Sequence, residues 1–362
     1  MDDMFRAGAL AAKTGSSAGL AYSYSNAPTA AGLVLEYRLF LLPRCHAMTD
    51  TQPPLPPRSD PRRRTAALIA RLCPGEGFAM TALDGVMTMR ANGSLERMPT
   101  LYEPSVCIVA QGRKRGFHGG RTYVYDAQHF LALAVPLPFE SETEATPEEP
   151  LLGLALRVEP QLTAELALAL DEARGPAPQP PLTMMATPMD EGLSDATLRL
   201  CEALSSPLEA RLLAPAIYRE ILYRVLTSEQ GGALRAALTQ GGQFGRIARS
   251  LRRIHAHYDS ELDVASLAGE ANMSVPAFHS HFKAVTHTSP IQYLKSIRLH
   301  QARLLMIRNG HTAASAAIRV GYASASQFSR EFKRLFGNSP AEEARRLQQV
   351  LSLSQPLSFA QD

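Results

Sequence analysis

The stretch Ser274-Val275-Pro276-Ala277-Phe278-His279-Ser280-His281-Phe282-Lys283, followed by Ser289-Pro290, returns fifty residues on as Ser324-Ala325-Ser326-Gln327-Phe328-Ser329-Arg330-Glu331-Phe332-Lys333, followed by Ser339-Pro340. Ser274/Ser324, Phe278/Phe328, Phe282/Phe332, Lys283/Lys333, Ser289/Ser339 and Pro290/Pro340 all match in this one register, which marks an internal duplication. In each copy the leading serine suits a helix N-cap, its hydroxyl taking an orphan first-turn N–H. The two phenylalanines at i, i+4 share one helix face, the core face. His279, Ser280 and Lys283, and in the second copy Gln327, Arg330, Lys333 and Arg334, make the opposite face polar. Each helix stops ahead of its Ser-Pro, because the residue before a proline leaves the helical region. A shorter helix is predicted upstream of each, over 264–271 with Asp263 at its start and over 313–319. The connectors are Asn272-Met273 and Gly321-Tyr322-Ala323. Two short helices and a tight turn, twice over, describe two helix-turn-helix units.

Between the copies, 291–308 mixes apolar Tyr293, Leu294, Ile297, Leu304 and Leu305 with Lys295, Arg298 and Arg303, and Asn309-Gly310 closes it as a C-cap would. A helix of that length spans roughly 27 Å and holds two readers apart by something near the ~34 Å of one DNA turn. From Arg246 to Arg346 there are 15 Lys and Arg against 7 Asp and Glu, a net of +8; the whole chain carries +3, so the remainder sums to −5. A basic C-terminal module on an acidic remainder is the electrostatic footprint of a phosphate-binding domain.

This segment resembles the DNA-binding domain of the AraC/XylS family, which has two helix-turn-helix units joined by a linker helix. The resemblance is carried by Gly321-Tyr322, Ser326-Gln327-Phe328-Ser329-Arg330, Phe332-Lys333, Phe336-Gly337 and Ser339-Pro340. It implies base-reading positions at Pro276, His279 and Ser280 in copy one and at Ser326, Gln327 and Arg330 in copy two. Arg330 suits a bidentate contact with guanine and Gln327 one with adenine, whereas Pro276 and Ser280 offer little hydrogen bonding. Lys283, Lys333 and Arg334 are expected on phosphates, which position without reading sequence. His281 fills a slot often held by a large apolar residue, so its direction, inward or outward, is open.

Residues 1–64 read as leader and linker. The first 47 are Ala/Gly/Ser-rich, either a disordered tail or an over-extended start with Met48 as the alternative, and 51–64 is a Pro/Arg-rich run ending in Arg62-Arg63-Arg64. A short helix is predicted at 65–73. The four cysteines, Cys45, Cys73, Cys107 and Cys201, show no CxxC spacing and fit reduced thiols. No segment has the length and hydropathy of a membrane span, and a cytoplasmic location is expected.

From residue 77 strands are predicted at 78–83, 86–90, 105–111, 122–125, 130–136 and 151–158. Turn signals lie at Ala91-Asn92-Gly93-Ser94, Gly119-Gly120 and Asp126-Ala127-Gln128. Short strands at close spacing predict a small antiparallel barrel or sandwich. The region resembles the N-terminal domain of one AraC-type subgroup, a cupin-like barrel that binds an effector. The carrying residues are Leu101-Tyr102-Glu103-Pro104-Ser105, Gln111-Gly112-Arg113-Lys114-Arg115 and Tyr125-Asp126-Ala127-Gln128-His129-Phe130-Leu131, with Pro136-Leu137-Pro138 and Ala145-Thr146-Pro147-Glu148-Glu149-Pro150. His118 and His129 stand on separate elements without a third ligand, so no metal or other cofactor is expected, and no nucleophile triad or phosphate loop appears. The barrel reads as a sensor rather than an enzyme, with His118 and His129 as candidate effector contacts alongside Cys107 and Cys73. Cys107 and Cys73 add a sharper reading, a thiol that senses an electrophile such as an aldehyde, against the plainer one of buried packing.

Helices are expected at 162–172, 194–204 and 208–228, with Pro215 either kinking the last or marking its true start. The apolar stripe of 208–228 is either core or a dimer interface. Gln230-Gly231-Gly232 and Gly241-Gly242 place a hinge at 230–245. The chain is thus expected to be α+β: a cupin-like barrel at 65–160 with flanking helices, a helical connector and candidate dimerisation region at 161–235, an all-α double helix-turn-helix domain at 246–348 and a polar tail at 349–362. The function expected is effector-responsive regulation of transcription. The partners would be double-stranded promoter DNA, a small effector, a second copy of the chain and, for an activator, RNA polymerase. The alternatives are a nonspecific architectural DNA binder and a cupin-type enzyme tethered to DNA.

Overall fold

The computed structural model of the protein describes residues 54–176, 179–238 and 242–352. The readings of the leader, of Met48 and Cys45 and of the end of the tail lie outside the described residues. Helix α1 (Pro61–Leu72) starts earlier than its apolar pattern predicts: the Asp60 carboxylate accepts the Arg63 N–H at 3.2 Å and Pro61 opens the first turn. The arginine run is therefore the start of a helix, not a linker. Arg58 and Arg64 each place a guanidinium nitrogen 2.8 Å from the Glu202 carboxylate, and Leu68 and Ile69 are buried beneath.

Among the described residues ten strands follow, all paired antiparallel: β1 (Gly77–Met80), β2 (Val86–Ala91), β3 (Leu95–Tyr102), β4 (Ser105–Gln111), β5 (Arg113–His118), β6 (Arg121–Asp126), β7 (His129–Leu133), β8 (Leu137–Glu144), β9 (Leu151–Arg157) and β10 (Met184–Pro188). The sheet runs β1-β2-β9-β4-β7-β6-β5-β8-β3, with β10 paired to β7, and curls into a half-barrel. Four strands escape the sequence pattern. In β8 the inward row is Leu137, Phe139, Ser141 and Thr143, so half of its buried face is polar and the hydropathy alternation fades. Strand β5 turns Lys114 inward, and β3 is exposed or half-exposed up to Tyr102, carries Pro99 and slips register between Leu95 and Met98. Strand β10 lies between two helices, so the sheet is completed from beyond residue 160. The Gly119-Gly120 turn forms with both glycines at positive φ, 58° and 75°, where a side chain would strain the backbone.

Helices α2 (Pro160–Arg174), α3 (Glu191–Leu204), α4 (Pro207–Leu212), α5 (Ala214–Thr227) and α6 (Gly231–Leu238) cover one face of the sheet. Pro215 lies in the first turn of α5, so it marks a start and not a kink. Gly231, read as hinge punctuation, instead opens a helix packed so close to the Leu226 carbonyl that a Cβ would collide with it. Arg235 on α6 pairs at 2.9 Å with Asp171 on α2, which ties this helix to the first of the layer. Alternate residues of β4 serve two cores. Val106 and Ile108 face the helices together with Phe130 and Leu154, while Cys107 and Val109 face the barrel interior with Met87, Met89, Tyr125, Leu131 and Met184.

The C-terminal part comprises α7 (Gly242–Ala256), α8 (Val264–Glu270), α9 (Val275–Thr286), α10 (Pro290–Asn309), α11 (Ala313–Arg319), α12 (Ala325–Phe336) and α13 (Pro340–Ser352). Phe278, Phe282, Phe328 and Phe332 are fully buried, one pair in each of two small cores. Ser274, Ser289 and Ser324 are N-caps, and Ser339 with Glu342 closes a capping box. Up to the turns the two copies are offset by 49, with N-caps Asp263 and Thr312, buried Leu267/Ala316 and Ala271/Val320, and left-handed turn residues Asn272 and Gly321. Ala323 is the one-residue insertion that moves the register to fifty.

Candidate nucleic-acid interface and effector barrel

The second helix of each unit turns its phenylalanines inward and thereby commits its other face to solvent. On α9, Pro276, Ser280 and Lys283 are exposed and His279 is half-buried; on α12, Ser326, Gln327, Arg330, Lys333 and Arg334 are exposed. His281 is half-buried, between the two directions left open for it. Among the described residues Arg330, Lys333, Arg334 and Lys283 have no carboxylate within ion-pair distance; beyond that distance, Glu342 exerts an acidic influence on Lys333. Gln327, Arg330, Glu331 and Arg334 line a shallow open depression.

Two residues to which the sequence assigns no role, Glu331 and Arg298, set the geometry of this face. The Glu331 carboxylate holds Lys295 Nζ at 2.7 Å, the Tyr322 hydroxyl at 2.7 Å and Gln327 Nε2 at 3.1 Å, which docks α12 onto α10 and fixes the Gln327 side chain. Burial raises the Glu331 carboxyl, but these three donors outweigh it and hold it below its ordinary range. Arg298 of α10 donates to the carbonyls of Tyr258 (2.7 Å), Ser260 (2.8 Å) and Gly321 (3.0 Å). It thus pins the loop before the first unit and the turn of the second to one guanidinium. Gly321 (φ 83°) fits there because a Cβ would stand 2.7 Å from the Asp259 carbonyl. The signal was present as an arginine on the apolar side of a linker helix, but its carbonyl partners are distant in sequence.

The four sensor candidates occupy different elements and share no hydrogen bond. Cys107 faces the barrel interior at 2% exposure; burial pushes its thiol up to about 11, against a smaller opposing pull from Lys114. A buried thiol whose acidity is lowered this way has the environment of a packing cysteine rather than that of an activated nucleophile. Cys73 ends α1, with its thiol toward the Gly75 carbonyl at 3.3 Å, and is also raised by burial. His129 is half-exposed, 3.3 Å from the Asp126 carboxylate across the β6–β7 turn. His118 stacks edge-on against His287, the left-handed C-cap of α9, at 4.9 Å between centroids. Burial, then the proximity of His287, pushes it down to about 4. Among the described residues no group of three or more His, Cys, Asp or Glu is placed to hold a metal ion, and no described helix is long and apolar enough to cross a membrane.

The barrel and the helix-turn-helix pair are in direct contact. Tyr293 of α10, fully buried, donates its hydroxyl to the Pro136 carbonyl at 2.8 Å and meets His255 Nε2 at 2.7 Å. The other nitrogen of His255 faces the Glu103 carboxylate at 3.3 Å. Further along α10, Arg303 donates to the Pro99 carbonyl of β3 at 3.3 Å and stacks over Phe336 of α12 at 4.4 Å. The linker helix that spaces the two units is therefore also their attachment to the barrel.

Residues 82–233 match the family model of the AraC-type transcriptional regulator N-terminus, and residues 267–346 match a helix-turn-helix domain model. The HTH-type transcriptional regulator AlkR of Acinetobacter baylyi is 35% identical over 94 residues, 26% of this chain and 31% of that protein. The RCS-specific HTH-type transcriptional activator RclR of Escherichia coli is 38% identical over 87 residues, 24% and 31%. The HTH-type transcriptional activator RhaS of Klebsiella pneumoniae is 27% identical over 142 residues, 39% and 49%. The chain thus spans from under a third to about half the length of these relatives. Among solved structures, an apo single-substitution variant of ToxT from Vibrio cholerae superposes with a TM-score of 0.52 over 74% of this chain and 99% of that one at 11% identity, a likeness of fold. Two family models that together run from the barrel to the last helices, on a duplicated helix-turn-helix whose outward faces are basic, place the chain in the AraC/XylS family, in the subgroup with the AraC-type N-terminal domain.

Proposed function

We propose that the protein is a sequence-specific, DNA-binding regulator of transcription whose barrel takes a small effector. The observation that carries this is the pair of exposed reading faces on α9 and α12, clamped to one linker helix by Arg298. A 20-residue α10 is roughly 30 Å long at 1.5 Å per residue, close to the ~34 Å between successive major grooves on one side of DNA. The relatives named as transcriptional regulators and activators support the DNA-directed part. ToxT has also been solved with an unsaturated fatty acid bound, at 13% identity; by that likeness the barrel is read as the effector domain. In this reading Ser326, Gln327 and Arg330, with Pro276, His279 and Ser280, face bases, while Lys283, Lys333 and Arg334 face phosphates. Effector binding acts through the contacts of β3 and Pro136 with α10, shifting the population of DNA-competent arrangements. The protein works in the cytoplasm as a homodimer through the exposed Leu208, Leu212 and Leu213 at the α4–α5 corner, and an activator would also meet RNA polymerase.

Arg330→Ala and Lys333→Ala separate the two kinds of contact. Removing Arg330 should cost about 1–3 kcal/mol and relax discrimination at a single base pair. Removing Lys333 should weaken every sequence alike and lower the slope of log affinity against log salt by about one. Fluorescence anisotropy on a set of single-base operator variants at two salt concentrations reads both, and identical behaviour of the two substitutions would defeat the assignment.

A further inference from the structure

Among the described residues, the barrel interior holds a cation with no counter-ion. Lys114 points inward from β5 at 8% exposure, and its ammonium donates to Thr143 Oγ1 of the adjacent β8 at 3.1 Å. Across the strand on the other side it is paired in register with Tyr125 of β6, also buried. Among the described residues no carboxylate lies within ion-pair distance of it; Arg113 and Arg115, its neighbours on the outward face, take Asp126, Glu142 and Glu144. A buried ammonium bonded to a lone hydroxyl is poorly compensated, and its desolvation is repaid only when an anion joins it. The interior that Lys114 enters is lined by flexible side chains laid over glycines, one of them, Gly116, on its own strand. Met184 Cε lies 2.6 Å from where a Cβ on Gly116 would stand, and Met89 Cε lies 2.8 Å from where one on Gly153 would stand. Methionine is the apolar residue that repacks most readily around a guest.

We propose that the barrel interior is a site for a small apolar carboxylate, its head group on Lys114 and Thr143 and its body in the space vacated by Met184 and Met89. This deepens the effector reading above and rests on it. Strand β10 supplies the route outward. Met184 belongs to the interior while its neighbour Met185 packs in the core between sheet and helices, so displacing the first moves the second against the helical layer. A neutral guest would fill the same space but leave the ammonium as it is, so the site selects for charge.

The test uses the full-length protein with hexanoate, decanoate and cinnamate, each beside its neutral alcohol, in calorimetric titrations. The wild type should bind at least one carboxylate at least about tenfold more tightly than the matching alcohol, the worth of one charge-assisted contact. Lys114→Met should fold, since it replaces an unpaired buried cation by an apolar chain of similar length, and should lose that preference while keeping affinity for the alcohol. Thr143→Val, which leaves the charge, should weaken carboxylate binding several-fold and serves if the first variant does not fold. Equal affinity for acid and alcohol, or a preference that survives Lys114→Met, overturns the proposal and leaves the effector reading standing. If no carboxylate binds, the proposal falls; if in addition no guest of any kind alters DNA affinity, the effector reading falls with it.

Discussion

Tyr293→Phe removes one oxygen from the junction between barrel and linker helix and nothing else. The ring keeps its edge contact with Phe282, 5.5 Å between centroids, so no cavity larger than the oxygen is created. What is lost is a buried donor to the Pro136 carbonyl and a buried partner of His255 Nε2, at 2.8 and 2.7 Å. Both partners belong to buried residues, His255 at 1% exposure. Leaving a buried polar group unsatisfied costs about 1–3 kcal/mol, and some relaxation of the interface recovers part of two such losses, so about 2–4 kcal/mol is expected. Urea unfolding of the full chain measures the total. Hydrogen exchange locates it, with amides around 135–138 and along the first turns of α10 exchanging faster while β2 and β9 keep their protection. A variant within about 0.5 kcal/mol of wild type, the range of a neutral surface change, would mean that this contact does not hold the two parts together.

Arg298→Met should separate the two reading helices in function before it unfolds them: three carbonyls lose a charged donor, stability falls by about 2–3 kcal/mol, and affinity for a two-element site drops more than affinity for either half alone. A parallel loss on whole and half sites would contradict the clamp. Cys107 and Cys201, the latter pushed up to about 12 by burial, should resist iodoacetamide in the native protein and react on unfolding; rapid native labelling at Cys107 would restore the electrophile-sensing reading. His118, held down to about 4 from its ordinary 6.5, binds its proton more readily unfolded than folded. Its contribution is therefore fully present above about pH 6.5 and is lost as pH falls toward 4. His118→Gln should flatten that acid limb of the stability curve by up to about 3 kcal/mol, and an unchanged limb would refute the assignment.

The helix-turn-helix pair was legible because its restraints are local. Within each unit the helix caps, the i, i+4 phenylalanines and the turn residues lie in one short stretch, Asp263 to Phe282 and Thr312 to Phe332, and they recur. The barrel was legible where strands are apolar on both faces, as in β4 and β9, or dense in β-branched and aromatic residues, as at 122–125 in β6. Strands β5 and β8 were hidden by Lys114, Ser141 and Thr143, polar residues that belong inside, so the same residues that blurred the fold mark the candidate site. Strand β10 and the arginine run 62–64 were misplaced because their partners, β7 and Glu202, are remote in sequence. For the same reason Arg298, Glu331 and Tyr293 could not be singled out: each acts through a contact between units that periodicity does not encode.

The central claim is that the paired units read sequence. It is tested most directly by fluorescence anisotropy of the full-length protein on the DNA upstream of its own gene and on a shuffled duplex of equal composition, at two salt concentrations. Binding to the native duplex at least about a thousandfold tighter than to the shuffled one, at the lower end of what specific regulators achieve, is the predicted result. Equal affinities falling together with salt would show a protein that coats DNA through its phosphates alone and would contradict the account.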